Sequence, residues 1–253
     1  MPTALVTGGS AGIGLAFARR LAADGHDLVL VARDAARLES VAAELHARHG
    51  VGCEVLPADL ADRAALQRVA DRVAETARPV DVLVNNAGFA LHAGFLRTDV
   101  ADQERLLDVH CRATLVLTHA AGRAMAERGA GAVVNVSSVA GLMATGTYSA
   151  AKAWTTAFSE AMSVELGRQG VTVTALCPGY VRTELTSGLH GRLPELAWVD
   201  ADRLVARCLD DVRRGRVIST PTLRYTAATA LLRLAPRRAV RLASGGFRRR
   251  TAR

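Results

Sequence analysis

The stretch Ala4-Leu5-Val6-Thr7-Gly8-Gly9-Ser10-Ala11-Gly12-Ile13-Gly14 decides how the rest of the chain reads. Its opening apolar run suits a strand buried in a parallel sheet. The glycines that follow permit a tight turn and the close approach of a ligand to backbone. Leu15 to Ala23 then reads as an Ala-rich helix ending near Gly25. Strand, glycine loop and helix, in that order, bring backbone N–H groups and a helix N-terminus onto a pyrophosphate. A plain turn is the competing reading. The position at the first strand–helix junction favours a nucleotide.

Working outward, Asp27 to Ala32 gives a second strand, ending at Ala32-Arg33. In a dinucleotide fold this end faces the adenosine ribose, where a carboxylate would select NAD. Ala32 offers none, and the Arg33 guanidinium can pair a 2′-phosphate bidentately, which points to NADP(H). Further strands are expected at Cys53–Leu56, Val80–Val84, Ala132–Val136 and Val171–Leu176. Helices are expected between them, including one long helix over 99–128 that Gly122 interrupts modestly. Alternation at this spacing implies right-handed crossovers. The fold class is therefore α/β, a Rossmann-like doubly wound parallel sheet in a single domain with a C-terminal helical extension.

The chain has 253 residues, half of them hydrophobic, enough for one large core without staples. Cys53, Cys111, Cys177 and Cys208 are widely spaced and read as reduced thiols, with no metal-ligand spacing. No signal peptide or apolar run of membrane-spanning length is seen, so a cytoplasmic location is expected. The net charge of +8 is unevenly placed: twelve arginines and no acidic residue lie between Arg213 and Arg253, which leaves −4 for residues 1–212. The reading divides the chain into a dinucleotide-binding catalytic domain, 1–220, and a basic C-terminal extension, 221–253. Within the extension, 225–234 is apolar and helical, Pro236 interrupts it, and 237–242 mixes arginines with apolar residues. Such a segment either lies at an anionic membrane surface or packs on the body or a second subunit, and packing is favoured. Nucleic acid is disfavoured, because the body is slightly acidic and no nucleic-acid motif accompanies the tail.

Tyr148-Ser149-Ala150-Ala151-Lys152 contains the chain's only lysine among 32 cations. Arginine cannot replace it where a compact ammonium is needed. Residues i and i+4 share a helix face, and a nearby ammonium lowers a phenol's pKa.

The order of these motifs resembles the short-chain dehydrogenase/reductase family over roughly residues 3–220. Its glycine-rich opening is matched by Thr7-Gly8 with Gly12 and Gly14, its adenine-side Asp by Asp59 before Leu60, and its Asn-Asn-Ala-Gly run by Asn85 to Gly88. Ser138 matches the family's serine better than Ser137, Tyr148 and Lys152 its Tyr-x-x-x-Lys, and Pro178-Gly179 with Thr183 its nicotinamide loop. The resemblance implies reversible hydride transfer between NADP(H) and a carbonyl/alcohol pair. Tyr148 would be the proton donor, Ser138 would bond the reacting oxygen, and Lys152 would lower the Tyr148 pKa and hold the nicotinamide ribose. The expected cofactor contacts are Gly8, Ser10, Gly12, Ile13, Gly14, Arg33, Asp59, Leu60, Asn86, Ala87, Gly88, Tyr148, Lys152, Pro178, Gly179, Val181 and Thr183.

Two departures stand out. His110 replaces the family's Asn at the proton relay and joins the catalytic candidates, against the plainer reading of a tolerated helix residue. The Ser138–Tyr148 connection is also short. Leu91, Phe95, Leu142, Met143, Leu185, Leu189 and Trp198 give the cleft an apolar lip and favour a hydrophobic small-molecule substrate. A non-catalytic nucleotide-binding regulator and a membrane-surface scaffold are the alternatives. The Ser138/Tyr148/Lys152 trio argues against a pure sensor. A homo-oligomer is compatible with all three.

Overall fold

A computed structural model describes residues 1–244, apart from 92, 185, 187–190, 192, 193 and 243. Strands β1 (Thr3–Thr7), β2 (Asp27–Ala32), β3 (Cys53–Pro57), β4 (Val82–Asn85), β5 (Gly131–Val136) and β6 (Val171–Leu176) are joined by helices α1 (Gly12–Ala23), α2 (Ala35–His49), α3 (Arg63–Ala74), α4 (Val100–Leu107), α5 (Ala113–Arg128) and α6 (Thr147–Gly167). Two short strands, β7 (Tyr180–Val181) and β8 (Trp198–Val199), form a separate ladder. They precede α7 (Ala201–Arg213), β9 (Ile218–Ser219) and α8 (Leu223–Leu234). The main sheet has seven strands in the order β3-β2-β1-β4-β5-β6-β9, and every pairing is parallel.

Side chains alternate across a strand, so each strand feeds two cores. Ala4, Val6, Leu28 and Leu30 face Phe17, Leu21, Leu38, Leu45 and Leu204, beneath α1, α2 and α7. Leu5, Val29 and Val31 face Leu66, Val69, Leu117 and Met125, beneath α3 and α5. With both faces covered, the strands read as continuous apolar runs. The order reverses between β1 and β4, and the crevice at such a switch point lies at the C-terminal ends of the strands. Thr7, Asn85 and Ser138 all stand at that edge.

The long helix expected over 99–128 is helical throughout 100–128, and its one irregular turn is not at Gly122. That glycine is buried against α6, where a Cβ would come 3.0 Å from Leu166 Cδ1. The irregularity is a π-helical turn over Asp108–Arg112, closed by the Ala113 N–H on the Asp108 carbonyl. Strand β9 and helix α7 lie beyond the expected elements; β9 is only two residues long, whereas α7 carries a plain signal, with Leu204, Val205, Cys208 and Leu209 at helical spacing behind the Asp200 cap.

The extension folds onto the body. Thr222 caps α8 by accepting the Tyr225 N–H at 3.3 Å. The chain turns at Pro236 and is helical again over 237–242, with Val240 and Ser244 buried. Residues 245–253 lie outside the described residues.

Candidate active site

The glycine turn is built as a cradle. Gly8 and Gly12 have φ of +67° and +52°, which disfavour any side chain, and a Cβ on Gly14 would overlap the Gly8 carbonyl oxygen. Ala11 at the N-cap of α1 makes no side-chain cap, and no acidic residue stands in the first turn. The first N–H groups of the helix therefore keep their positive end for an anion. A Cβ on Gly12 would come 3.1 Å from Thr183 Cγ2, so the loop after β6 meets the glycine turn across the crevice. Arg33 is exposed beside α2. Its neighbour Arg37 is engaged elsewhere, with Glu184 at 2.6 Å.

Several expected cofactor contacts also serve the scaffold. The Asn86 amide donates to the Thr7 carbonyl at 2.9 Å and the Gly8 carbonyl at 3.3 Å. Thr7 Oγ1 accepts the Asn86 and Ala87 N–H groups at 2.9 and 3.0 Å, so this side chain, absent from the expected contacts, locks β4 to β1. Leu60 and Val181 are buried in the two cores, Ile13 and Ala87 pack against those cores, and what they offer a ligand is main chain. Ser10 and Gly88 stand in open turns, Ser10 partly buried and Gly88 exposed. Asp59 is held by Arg105 at 2.6 Å and by the Ala61 N–H at 3.0 Å. Burial pushes its carboxyl upward, but those bonds and the charges of Arg105 and Arg33 outweigh it and hold the pKa below the usual value.

Ser138, Tyr148 and Lys152 converge. Ser137 is buried, its hydroxyl donating to the Lys152 carbonyl and meeting Thr156 Oγ1, both at 2.7 Å. Ser138, not Ser137, is the serine whose side chain acts on the Tyr148 phenol. It starts a 3₁₀ turn over Val139–Leu142 and accepts the Ala140 N–H at 3.1 Å. Lys152 is 5% exposed, donates to the Val136 carbonyl at 2.6 Å, and lies 5.8 Å from the centre of the Tyr148 ring.

The electrostatics correct one expectation. Burial raises the Tyr148 phenol above its ordinary pKa, and the Ser138 hydrogen bond offsets only part of this. Burial also lowers the Lys152 ammonium to about 8, against the pull of Cys111 and Cys177. The lowered phenol expected from a Tyr–Lys pair is thus absent, because desolvation opposes both charged forms. His110 packs edge-on to Tyr148, with ring centres 5.5 Å apart. Burial, then the Lys152 charge, lowers its pKa to about 3 despite its bond to Phe89. Its Nε2 lies 2.8 Å from the Phe89 carbonyl and 3.1 Å from the Phe89 N–H, while Nδ1 has no partner among the described residues. Both influences favour the neutral imidazole at neutral pH.

The model of the short chain dehydrogenase family matches residues 2–192. The chain belongs to the short-chain dehydrogenase family. It is an oxidoreductase of the carbonyl/alcohol class. The dehydrogenase is 39% identical over 204 residues to a galactitol 2-dehydrogenase (L-tagatose-forming) of Cereibacter sphaeroides, covering 78% of each chain. Among solved structures it resembles a short-chain dehydrogenase from Sphingobium yanoikuyae in complex with NADPH. There the identity is 38% and the TM-score 0.84, over 91% of this chain and 93% of that one. A bulky-bulky ketone specific alcohol dehydrogenase from Comamonas testosteroni is 32% identical, with a TM-score of 0.81 over 93% and 95%.

The lip of the dehydrogenase is only partly as expected. Leu185 and Leu189 lie outside the described residues. Phe95 points largely into solvent, and Trp198 packs on Tyr180 and under the Arg182 guanidinium. A cavity of about 350 Å³ behind Ser138 is lined by Leu142, Ala157, Cys177, Ile218 and Thr229, with the Glu160–Arg233 pair beside it.

Proposed function

We propose that the chain is an NADP(H)-dependent carbonyl reductase, or alcohol dehydrogenase, for a hydrophobic substrate. The observation that carries the reading is Lys152, buried 5.8 Å from the centre of the Tyr148 ring with Ser138 acting on the same phenol, together with an uncapped glycine turn. The residues present fit NADP(H): the turn from Gly8 to Gly14 and the α1 N-terminus would hold the pyrophosphate, Arg33 the 2′-phosphate, and Asn86–Gly88 with Pro178–Thr183 the nicotinamide half. NADP(H) supplies the hydride when bound, and accepts it in the oxidative direction. Tyr148 donates the proton to the oxygen as charge develops there, and Ser138 holds that oxygen by a hydrogen bond. Lys152 holds the nicotinamide ribose. Its charge favours the phenolate only to the extent that burial allows. His110 positions the Tyr148 ring. The similarity to an enzyme for bulky ketones supports a hydrophobic substrate, as does Leu142 in the wall.

The test is a screen of bulky ketones with NADPH and NADH, read by nicotinamide absorbance, alongside Tyr148→Phe and Arg33→Asp. Turnover with NADPH, lost in Tyr148→Phe with NADPH affinity retained, and a shift toward NADH in Arg33→Asp are expected. Equal use of both cofactors by the unaltered protein overturns the NADP assignment.

A second part of the proposal is a cytoplasmic location with peripheral membrane contact through the C-terminal arm. Leu231, Leu234 and Leu242 are 72%, 85% and 80% exposed, and Arg233, Arg237, Arg238 and Arg241 are exposed among them. Glu160 of the body pairs with Arg233, and no acidic residue follows Arg213 in the sequence to offset the others. That combination suits an anionic bilayer. Self-association is the competing use of exposed apolar residues, including Leu115 and Val164 on α5 and α6.

A further inference from the structure

The inner side of the C-terminal arm touches the cleft at two places. The first is the loop after β6. A Cβ on Gly179 would overlap the ring of Tyr225, so this glycine is required by the tyrosine that fills its side-chain space. The Tyr225 hydroxyl donates to the Ala197 carbonyl at 2.7 Å and is approached by the Tyr180 N–H at 3.5 Å. One phenol from α8 therefore ties the Pro178–Gly179 loop to the residues that lead into β8.

The second place is the connection from Ser138 to Tyr148. Its first half is held by the Gly141 N–H on the Ser138 carbonyl and the Met143 N–H on the Ala140 carbonyl, both at 3.0 Å. Its second half is held by a hydrogen bond between the Thr145 and Ser149 hydroxyls. Between them, the Ala144 N–H is taken by Ser244 Oγ at 3.0 Å, across one hundred residues of sequence. Ser244 is 1% exposed and its hydroxyl donates to the Val240 carbonyl at 2.8 Å, so it is fixed before it reaches Ala144.

We infer that Tyr225 and Ser244 are positioning residues that hold the two walls of the cleft separately, Tyr225 the cofactor wall and Ser244 the substrate wall. The inference rests on the oxidoreductase reading. Neither residue is close in sequence to Ser138, Tyr148 or Lys152, and each acts through backbone that flanks the site.

The experiment uses full-length Tyr225→Phe and Ser244→Ala, which remove one oxygen each. NADPH affinity is measured by nicotinamide fluorescence, KM and kcat on one bulky ketone that the unaltered protein reduces, and amide hydrogen exchange at Ala144 and Tyr180. One hydrogen bond of about 1 kcal/mol corresponds to roughly fivefold in a binding constant. Ser244→Ala is expected to raise the ketone KM about fivefold and deprotect the Ala144 amide, with NADPH affinity and kcat nearly unchanged. Tyr225→Phe is expected to weaken NADPH by a similar factor and loosen the Tyr180 amide, with the ketone KM nearly unchanged. If both variants move both constants together, or neither constant moves, the separate clamp is overturned. If no ketone is reduced by the unaltered protein, the oxidoreductase reading fails by itself. Amide exchange and NADPH affinity then still decide the clamp.

Discussion

Lys152 is a buried cation whose pKa falls to about 8 from 10.5, so folding weakens its hold on the proton. Between those values the unfolded chain binds the extra proton, and stability rises with pH across that window. Below about pH 8 the cofactor-free protein carries a desolvated charge that costs on the order of 3 kcal/mol. Lys152→Met is therefore expected to abolish turnover yet raise Tm at pH 7 by several degrees, an advantage that shrinks from pH 8 to 10.5. A thermal scan at pH 7 and pH 10 checks this, and an unchanged Tm difference contradicts it. His110 has the same sign in a lower window. Its folded pKa of about 3 lies below the ordinary 6.5, so its stability contribution is present above pH 6.5 and lost as pH falls toward 3. The slope for one such group reaches about 1.4 kcal/mol per pH unit. His110→Asn is expected to flatten the acid side of the denaturation profile relative to the unaltered protein. Equal slopes between pH 6 and 4 would show that the imidazole is not held neutral.

At the scale of elements, the junction of β1 and β4 forms the floor of the crevice, and Asn86 is its bolt. Its amide spans the Thr7 and Gly8 carbonyls at the point where the strand order reverses. Asn86→Ala leaves those acceptors to water or to nothing, at a cost of about 1–3 kcal/mol. The expected result is a lower Tm together with several-fold weaker NADPH binding, because the glycine turn hangs from the same carbonyls. A Tm loss with unaltered NADPH affinity would confine Asn86 to the scaffold. The π turn over Asp108–Arg112 has a comparable local role. The extra residue in the turn brings the His110 ring beneath Phe89 and beside Tyr148. A Cβ on Gly88 would overlap that ring, so the last glycine of the Asn-Asn-Ala-Gly run makes room for the histidine.

For the molecule as a whole, charge is divided between a slightly acidic body and a basic arm. The arm's outward leucines and arginines are expected to bring the full chain down with anionic vesicles at low salt and much less with neutral vesicles. Equal, salt-insensitive absence from both removes the membrane contact, and concentration-dependent self-association without vesicles would assign the face to a second copy. No helix among the described residues is long and apolar enough to cross a membrane. The sheet, its crossovers and the meeting of Ser138, Tyr148 and Lys152 were legible from sequence. They depend on local periods, on glycines at strand ends, and on residues placed at the same edge of a parallel sheet. The arginine-rich end gave the expectation of a distinct extension, and its described residues pack on the body. Sequence could not choose between Ser137 and Ser138 by geometry, place the π turn within the long helix, or show the phenol raised where a neighbouring ammonium suggested it lowered. Nor could it pair Tyr225 with Gly179 or Ser244 with Ala144. Those outcomes depend on desolvation and on contacts between residues far apart in the chain, which exist only once the arm has packed against the cleft and water has left the site.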